Sequence, residues 1–285
     1  MFWHLLSTEN TKIVRRRMLW VVLALIAIGV LLIEMVLFGA IENGLSGTAM
    51  PAEDRLNALQ TITWPGALVN VLTMIGGNAF GGLFFVILVG AVTSQEYSWR
   101  TLHLWLSRGV PRPMLRLAKF AALITPALLI VLTALVAGGV ITAIISFNIN
   151  NTLHLDQMNF SQLFLSVLRT TYTLLPYGAL TYFLAVISRS TVVAVSGGLA
   201  YVLLLENILI QMLGLLGEPL QRLIQYLPST LANCLLALNQ AAIGVEGAST
   251  AGLGTPLIAT MGIAAWSFLF LGLSLWIFQR QDLSE

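Results

Sequence analysis

Six predominantly apolar stretches, parted by more polar segments, restrict this chain to one class of fold: residues 18–41, 64–93, 117–147, 161–187, 191–216 and 255–278. Crossing a hydrocarbon core as a helix takes about 20 apolar residues, and each stretch reaches that length. Hydrophobic residues make up 58% of the chain and charged residues 9%, with a mean hydropathy of +0.88. No soluble domain hides that much apolar surface. The reading is an all-α, polytopic membrane protein of six transmembrane helices, forming a single transmembrane domain over residues 1–285. Several stretches exceed the minimum, which predicts tilt, kinks or helical extensions beyond the bilayer.

Lys and Arg set the orientation, because positive residues stay on the cytoplasmic side during insertion. Eleven of the fourteen fall on one face: Lys12, Arg15, Arg16 and Arg17 before the first span; Arg100, Arg108, Arg112, Arg116 and Lys119 between the second and third; Arg189 between the fourth and fifth; Arg280 at the end of the sixth. Both termini are therefore predicted to be cytoplasmic. The first apolar stretch is longer than a signal-peptide core and no small-x-small cleavage site follows it promptly, so it reads as a retained span. The single cysteine, Cys234, excludes an internal disulfide framework. The only lysines, Lys12 and Lys119, lack the glycine-rich context of a phosphate-binding loop. No H-E-x-x-H or G-x-S-x-G pattern occurs either. With no ATPase, zinc-protease or serine-nucleophile motif, the classes left are transport, membrane scaffolding and sensing.

The polar insert at 94–116 is the place where a soluble partner would grip. At about 100° per residue, Glu96, Arg100, His103 and Ser107 share one helical face, while Trp99, Leu102, Leu106 and, at its edge, Trp105 share the opposite one. Glu96 and Arg100 form an i, i+4 pair in the favourable order, and Gly109, Pro111 and Pro113 stop the helix. Two readings stand: an interfacial helix anchored by its tryptophans, with Arg112 and Arg116 meeting anionic lipid, or a docking helix for a cytoplasmic protein.

Three ionisable residues, Glu34, Arg169 and Glu206, lie inside spans, where each costs about 2.5–3.5 kcal/mol unless compensated. All three fall in the outer half of the bilayer, and Arg169 is expected to pair with Glu34 or Glu206, within one subunit or across a dimer. The pair would act as a packing salt bridge or an outer gate, or the charges would snorkel to the surface. Gly77 and Gly81 give span two a G-x-x-x-G spacing, read as tight helix packing. Pro126 and Pro176 are expected to kink spans three and four. In the outer segment 217–254, Leu220, Leu223, Ile224 and Leu227 keep helical spacing before Pro228, after which Ser229 is placed to cap a second short helix through Leu238. These short helices would re-enter the outer leaflet.

The insert resembles the signature of bacterial type-2 ABC transporter permeases: Glu96, Tyr97, Trp99, Thr101, Leu102, Leu106, Arg108, Gly109, Val110, Arg112 and Lys119 carry the match. Arg100 stands where that family commonly has Gly. The T-E-N-T-K-I-V-R-R-R run before span one, the I-F-Q-R-Q-D-L run after span six and the Leu227–Pro228 step agree with it. The resemblance implies a permease subunit in a bacterial inner membrane, an exporter of hydrophobic or amphipathic cargo that works as a homodimer. Each subunit would rest on a separate ATP-binding chain that holds ATP and Mg, with no cofactor on this chain and no nucleic-acid partner. It further implies a coupling helix over 95–108, docked through Glu96, Trp99, Arg100, Thr101, Leu102, Leu106, Arg108 and Arg112, and an N-terminal elbow helix within residues 1–17 lying among the lipid headgroups. The alternatives are an ion-coupled secondary transporter using Glu34, Arg169 and Glu206, or a membrane anchor for an enzyme complex.

Overall fold

A computed structural model describes residues 1–46, 62–98, 111–150, 158–217, 220, 222–243 and 255–280. No strand occurs among the described residues, and six helical segments are long and apolar enough to cross a membrane. This is an all-α, multi-pass membrane protein. A short helix, α1 (Phe2–Arg15), precedes span one, α2 (Arg17–Ser46). Span two is α3 (Gly66–Ile75) followed by α4 (Phe80–Ser98), and span three is α5 (Arg112–Ala122) followed by α6 (Ile124–Asn150). Span four is the single helix α7 (Phe160–Ser188). Span five is α8 (Thr191–Ala200), a π-helical turn at Tyr201–Leu205, and α9 (Glu206–Leu215). A short helix, α10 (Pro228–Ala237), comes before span six, α11 (Pro256–Arg280).

The breaks have local causes. Proline at 126 has no N–H to give the carbonyl of Ala122, and span three divides there, with α5 ending at Ala122. Pro176, by contrast, is carried inside an uninterrupted α7. Span two is not the continuous helix that its glycine spacing suggested. It breaks after Ile75, and Gly77 takes a left-handed φ of 60°. The break leaves backbone groups to satisfy and space to fill: the Gly77 N–H donates to Thr173 Oγ1 of α7 at 3.0 Å, while Ala232 and Leu236 of α10 lie where side chains on Gly77 and Gly76 would stand. The glycines thus admit α10, and they do not form a seam between two straight spans. Of the helix expected at 220–227, the described residues show Leu220 helical and a 3-10 turn at Ile224–Tyr226.

Burial identifies the axis of the fold. In α7, 72% of the most apolar window is buried, against 28% in α2 and 22% in span five, so α7 is central and those two are peripheral. It packs on α4, α6, α8, α10 and α11. Its interior side is unusually polar for a span, with Thr170, Thr173, Tyr177 and Thr181 all buried. Several hydroxyls bond back to the preceding turn, as Thr171 does to Val167 O and Thr181 to Tyr177 O, both at 2.8 Å. The main apolar core runs between α2, α3, α4, α6 and α7, through Ile26, Leu72, Phe85, Ile130 and Leu174. Trp20, Leu25, Leu32 and Met35 on α2, and Leu203, Leu204, Ile208 and Met212 in span five, are left bare. In water such faces would be a liability; a bilayer would accommodate them.

The strained turn gives a direct test. A Gly77→Ala side chain would be held in a left-handed conformation with its Cβ 3.1 Å from that of Ala232. Stability should fall by about 1–2 kcal/mol, read as a lower thermal midpoint in detergent, while Gly39→Ala, which meets nothing within 4 Å, should not lower it.

Candidate functional site

Two polar assemblies stand out, one at each end of the bundle. The first lies where α1 and the last turn of α11 both meet α5. Leu5, Glu9 and Ile13 recur every four residues along α1, forming its buried stripe against α5. Glu9 sits in the middle of that stripe with its side chain only 6% exposed. Its Oε1 accepts from Lys12 Nζ at 2.7 Å and lies 3.2 Å from Lys119 Nζ on α5, itself buried. The next residue, Asn10, accepts at Oδ1 from Thr125 Oγ1 of α6 at 3.1 Å. At the α1–α2 junction, Arg16 Nη1 donates to Gln95 Oε1 at 2.6 Å, near the end of α4.

Arg116 completes this junction and overturns the expectation that it meets anionic lipid. The side chain is fully buried, and its guanidinium lies 3.7 Å from the ring centroid of Phe278 on α11. Its Nη1 is 3.5 Å from the Tyr182 hydroxyl of α7, and the Phe278 contact is a cation–π interaction. Glu9, Val92, Lys119 and Tyr182 help to line a small cavity of about 20 Å³, room for one water. Burial alone would raise the Glu9 carboxyl, but the charge of Lys119, then the hydrogen bond and charge of Lys12, outweigh it and hold it below the ordinary carboxylate value.

The junction bears on the insert because it ties down both of its ends. Span two ends at Ser98 and span three opens at Arg112, capped by an extended Pro111. The backbone of Glu96 belongs to α4. Its side chain, that of Arg112, and all of Trp99, Arg100, Thr101, Leu102, Leu106 and Arg108 lie outside the described residues. Glu9 went unremarked in the sequence because one carboxylate in a basic run looks like solvated surface. The readable signal was its i, i+4 register with Leu5 and Ile13.

The second assembly surrounds α10, and it corrects the expected pairing of intramembrane charges. Within the subunit, Arg169 meets neither glutamate; instead two of the three charges hold opposite ends of one helix. Glu206, at the start of α9, reaches the first turn of α10, where its Oε1 accepts from the Ser229 N–H at 2.6 Å. Its Oε2 accepts from the Tyr177 hydroxyl at 3.2 Å. Arg169 of α7 donates from Nη1 to the carbonyl of Leu238, just past the other end of α10, at 3.2 Å. Beside it, Asn239 Nδ2 donates to Thr170 Oγ1 at 3.1 Å. A carboxylate at the N-terminus and a guanidinium at the C-terminus match the helix dipole. Ser229 was expected to cap this helix itself; the helix starts instead at Pro228, with Leu227 in the N-cap position, and the side-chain cap comes from another span. Glu34 is different. It is fully buried in α2 and neither carboxylate oxygen has a hydrogen-bond partner.

Among the described residues no group of three metal-ligating side chains occurs. A family model described as a protein of unknown function, DUF2705, matches residues 78–284. The match opens at the break in span two and takes in α10 with both of its capping charges. No curated protein matches the chain.

Both assemblies are open to test. Because the Glu9 value is lowered on folding, its stabilisation is complete above the unfolded carboxyl value of about 4.3 and is lost as pH falls through the lower folded value. Glu9→Ala should lower stability at neutral pH by on the order of 3 kcal/mol by removing the carboxylate that faces the buried Lys119. The gap to wild type, followed by thermal unfolding, should narrow on acidification. Glu206→Ala strands the Ser229 N–H, a loss of about 1–2 kcal/mol. Its signature should be faster amide hydrogen exchange across α10 with α2 and α6 unaffected.

Proposed function

This chain belongs to the DUF2705 family, and we propose that it is the membrane-spanning subunit of an ATP-driven transporter of the type-2 ABC kind. In this reading it exports hydrophobic or amphipathic cargo across a bacterial cytoplasmic membrane. Two copies pair, and each rests on a separate ATPase chain that binds ATP and Mg. This chain performs no chemistry; it converts closure of the ATPases into movement of its spans.

The observation that carries the reading is the buried Glu9–Lys119 contact, with Lys12 and Arg16 beside it. A partner pushing on 94–116 would move the end of α4 and the start of α5. Those two ends do not move alone, because Glu9 and Arg16 bind them to the α1–α2 corner and Arg116 binds α5 to α11 on Phe278. Displacement of the insert thereby becomes a rigid-body movement of spans one, two, three and six, which is how a small movement in a packed assembly is carried over distance. At the far end α7 and span five hold α10 through Arg169 and Glu206, so relative movement of these spans would release or reseat α10. An apolar passage suits the cargo class, since Arg169 and Glu206 are committed to the ends of α10.

The test is purification of the intact protein from its native membrane in mild detergent, beside Glu96→Arg. Wild type should bring with it a nucleotide-binding protein and vanadate-sensitive ATPase activity, both reduced several-fold in the variant. If wild type brings neither, the reading fails, and an ion-coupled carrier, which needs no such partner, takes its place.

A further inference from the structure

Glu34 belongs to neither assembly. Along α2 the buried positions Leu19, Val22, Leu23, Ile26 and Val30 form one stripe, and Glu34 is the next member of it, at 0% exposure. That stripe packs chiefly on α6, with α4 and α1 touching it less. A carboxyl in such a place needs a donor, a counter-ion or a hydrogen of its own.

Among the described residues the neighbouring elements supply no charge beside it. Helix α6, Ile124–Asn150, contains no Asp, Glu, Lys, Arg, His, Tyr or Cys. In α4 the titratable residues are Glu96 and Tyr97, at its end on the terminal face, and those of α1 are His4, Glu9, Lys12 and Arg15, on that same face. On α2 itself Arg17 opens the helix about 25 Å away and Glu42 lies about 12 Å further on, at 1.5 Å per residue. Arg169 is engaged on Leu238. Both Glu34 oxygens are without a hydrogen-bond partner, and on α6 the buried Ser146 hydroxyl is likewise unpartnered. An ionised carboxylate here would lose its hydration with nothing in return, whereas the neutral acid loses far less.

We infer that Glu34 is a proton-binding site, neutral in the conformation described, that exchanges its hydrogen with water only when α2 and α6 part. The carboxyl O–H bond breaks as the hydrogen passes to a water molecule entering from whichever side opens, leaving a hydrated carboxylate; closure reverses the step. Movement of span one would thus carry a proton from one environment to another. This goes beyond the transport reading and does not require it.

Infrared spectroscopy of the purified protein in lipid at neutral pH tests it with neither ATP nor a partner present. Wild type should show the carbonyl stretch of a protonated carboxylic acid, displaced by carbon-13 glutamate labelling, absent from Glu34→Gln and retained in Glu206→Gln. Glu34→Asp should keep the band but make it sensitive to carbon-13 aspartate instead, a positive result that does not depend on Glu34→Gln folding. Transfer to D2O should shift the band slowly, over the time in which the helices separate. Absence of the band from wild type, its persistence in Glu34→Gln, or its shift within the mixing time would overturn the proposal.

Discussion

A helix that starts and stops inside a packed bundle leaves unpaired N–H groups at one end and unpaired carbonyls at the other, with little water to take them up. In this protein α10 is that helix, and the arrangement of spans two, four and five follows from satisfying it. Glu206 accepts from its first turn and Arg169 donates just past its last. Span two breaks at Gly76 and Gly77 to make room for Ala232 and Leu236. The N–H freed by that break goes to Thr173 on α7. The central span is polar on its inner side because it supplies these partners, and charges that would be costly in an apolar helix become terminal caps.

On the opposite side of the bundle the start of span three is held twice: by α1, which is anchored on α5 by an apolar stripe with a carboxylate at its centre, and by Arg116, whose guanidinium lies on Phe278. Buried charge pairs contribute modestly to net stability but are costly to break.

Much of the architecture was legible in the chain. The six spans follow from apolar run length alone, and the division of span three follows from Pro126. The positions of the intramembrane charges were equally plain, since any ionisable residue in such a run stands out. Their partners were not. Opposite charges at similar depth suggest each other, and nothing in the local pattern says that Arg169 and Glu206 meet the two ends of a third element from a different part of the chain. Gly77 and Gly81 have the spacing of a close helix contact, but a left-handed turn at Gly77 depends on what packs against it. Glu9 was hidden for the opposite reason: its sequence surroundings are basic and polar, and only docking of α1 on α5 buries it.

The sequence by itself therefore determined the class of fold, the number of spans and the face on which positive charge gathers. Each of these is set by hydropathy and charge summed over local stretches, which no tertiary contact can undo. Tertiary structure alone decided which charge is satisfied by what: Glu9 by Lys119, Arg116 by Phe278, Glu206 and Arg169 by the ends of α10, and Glu34 by none of the described residues. Those outcomes depend on contacts between residues far apart in the chain, where geometry within a few ångströms separates a cap, an ion pair and a solitary acid.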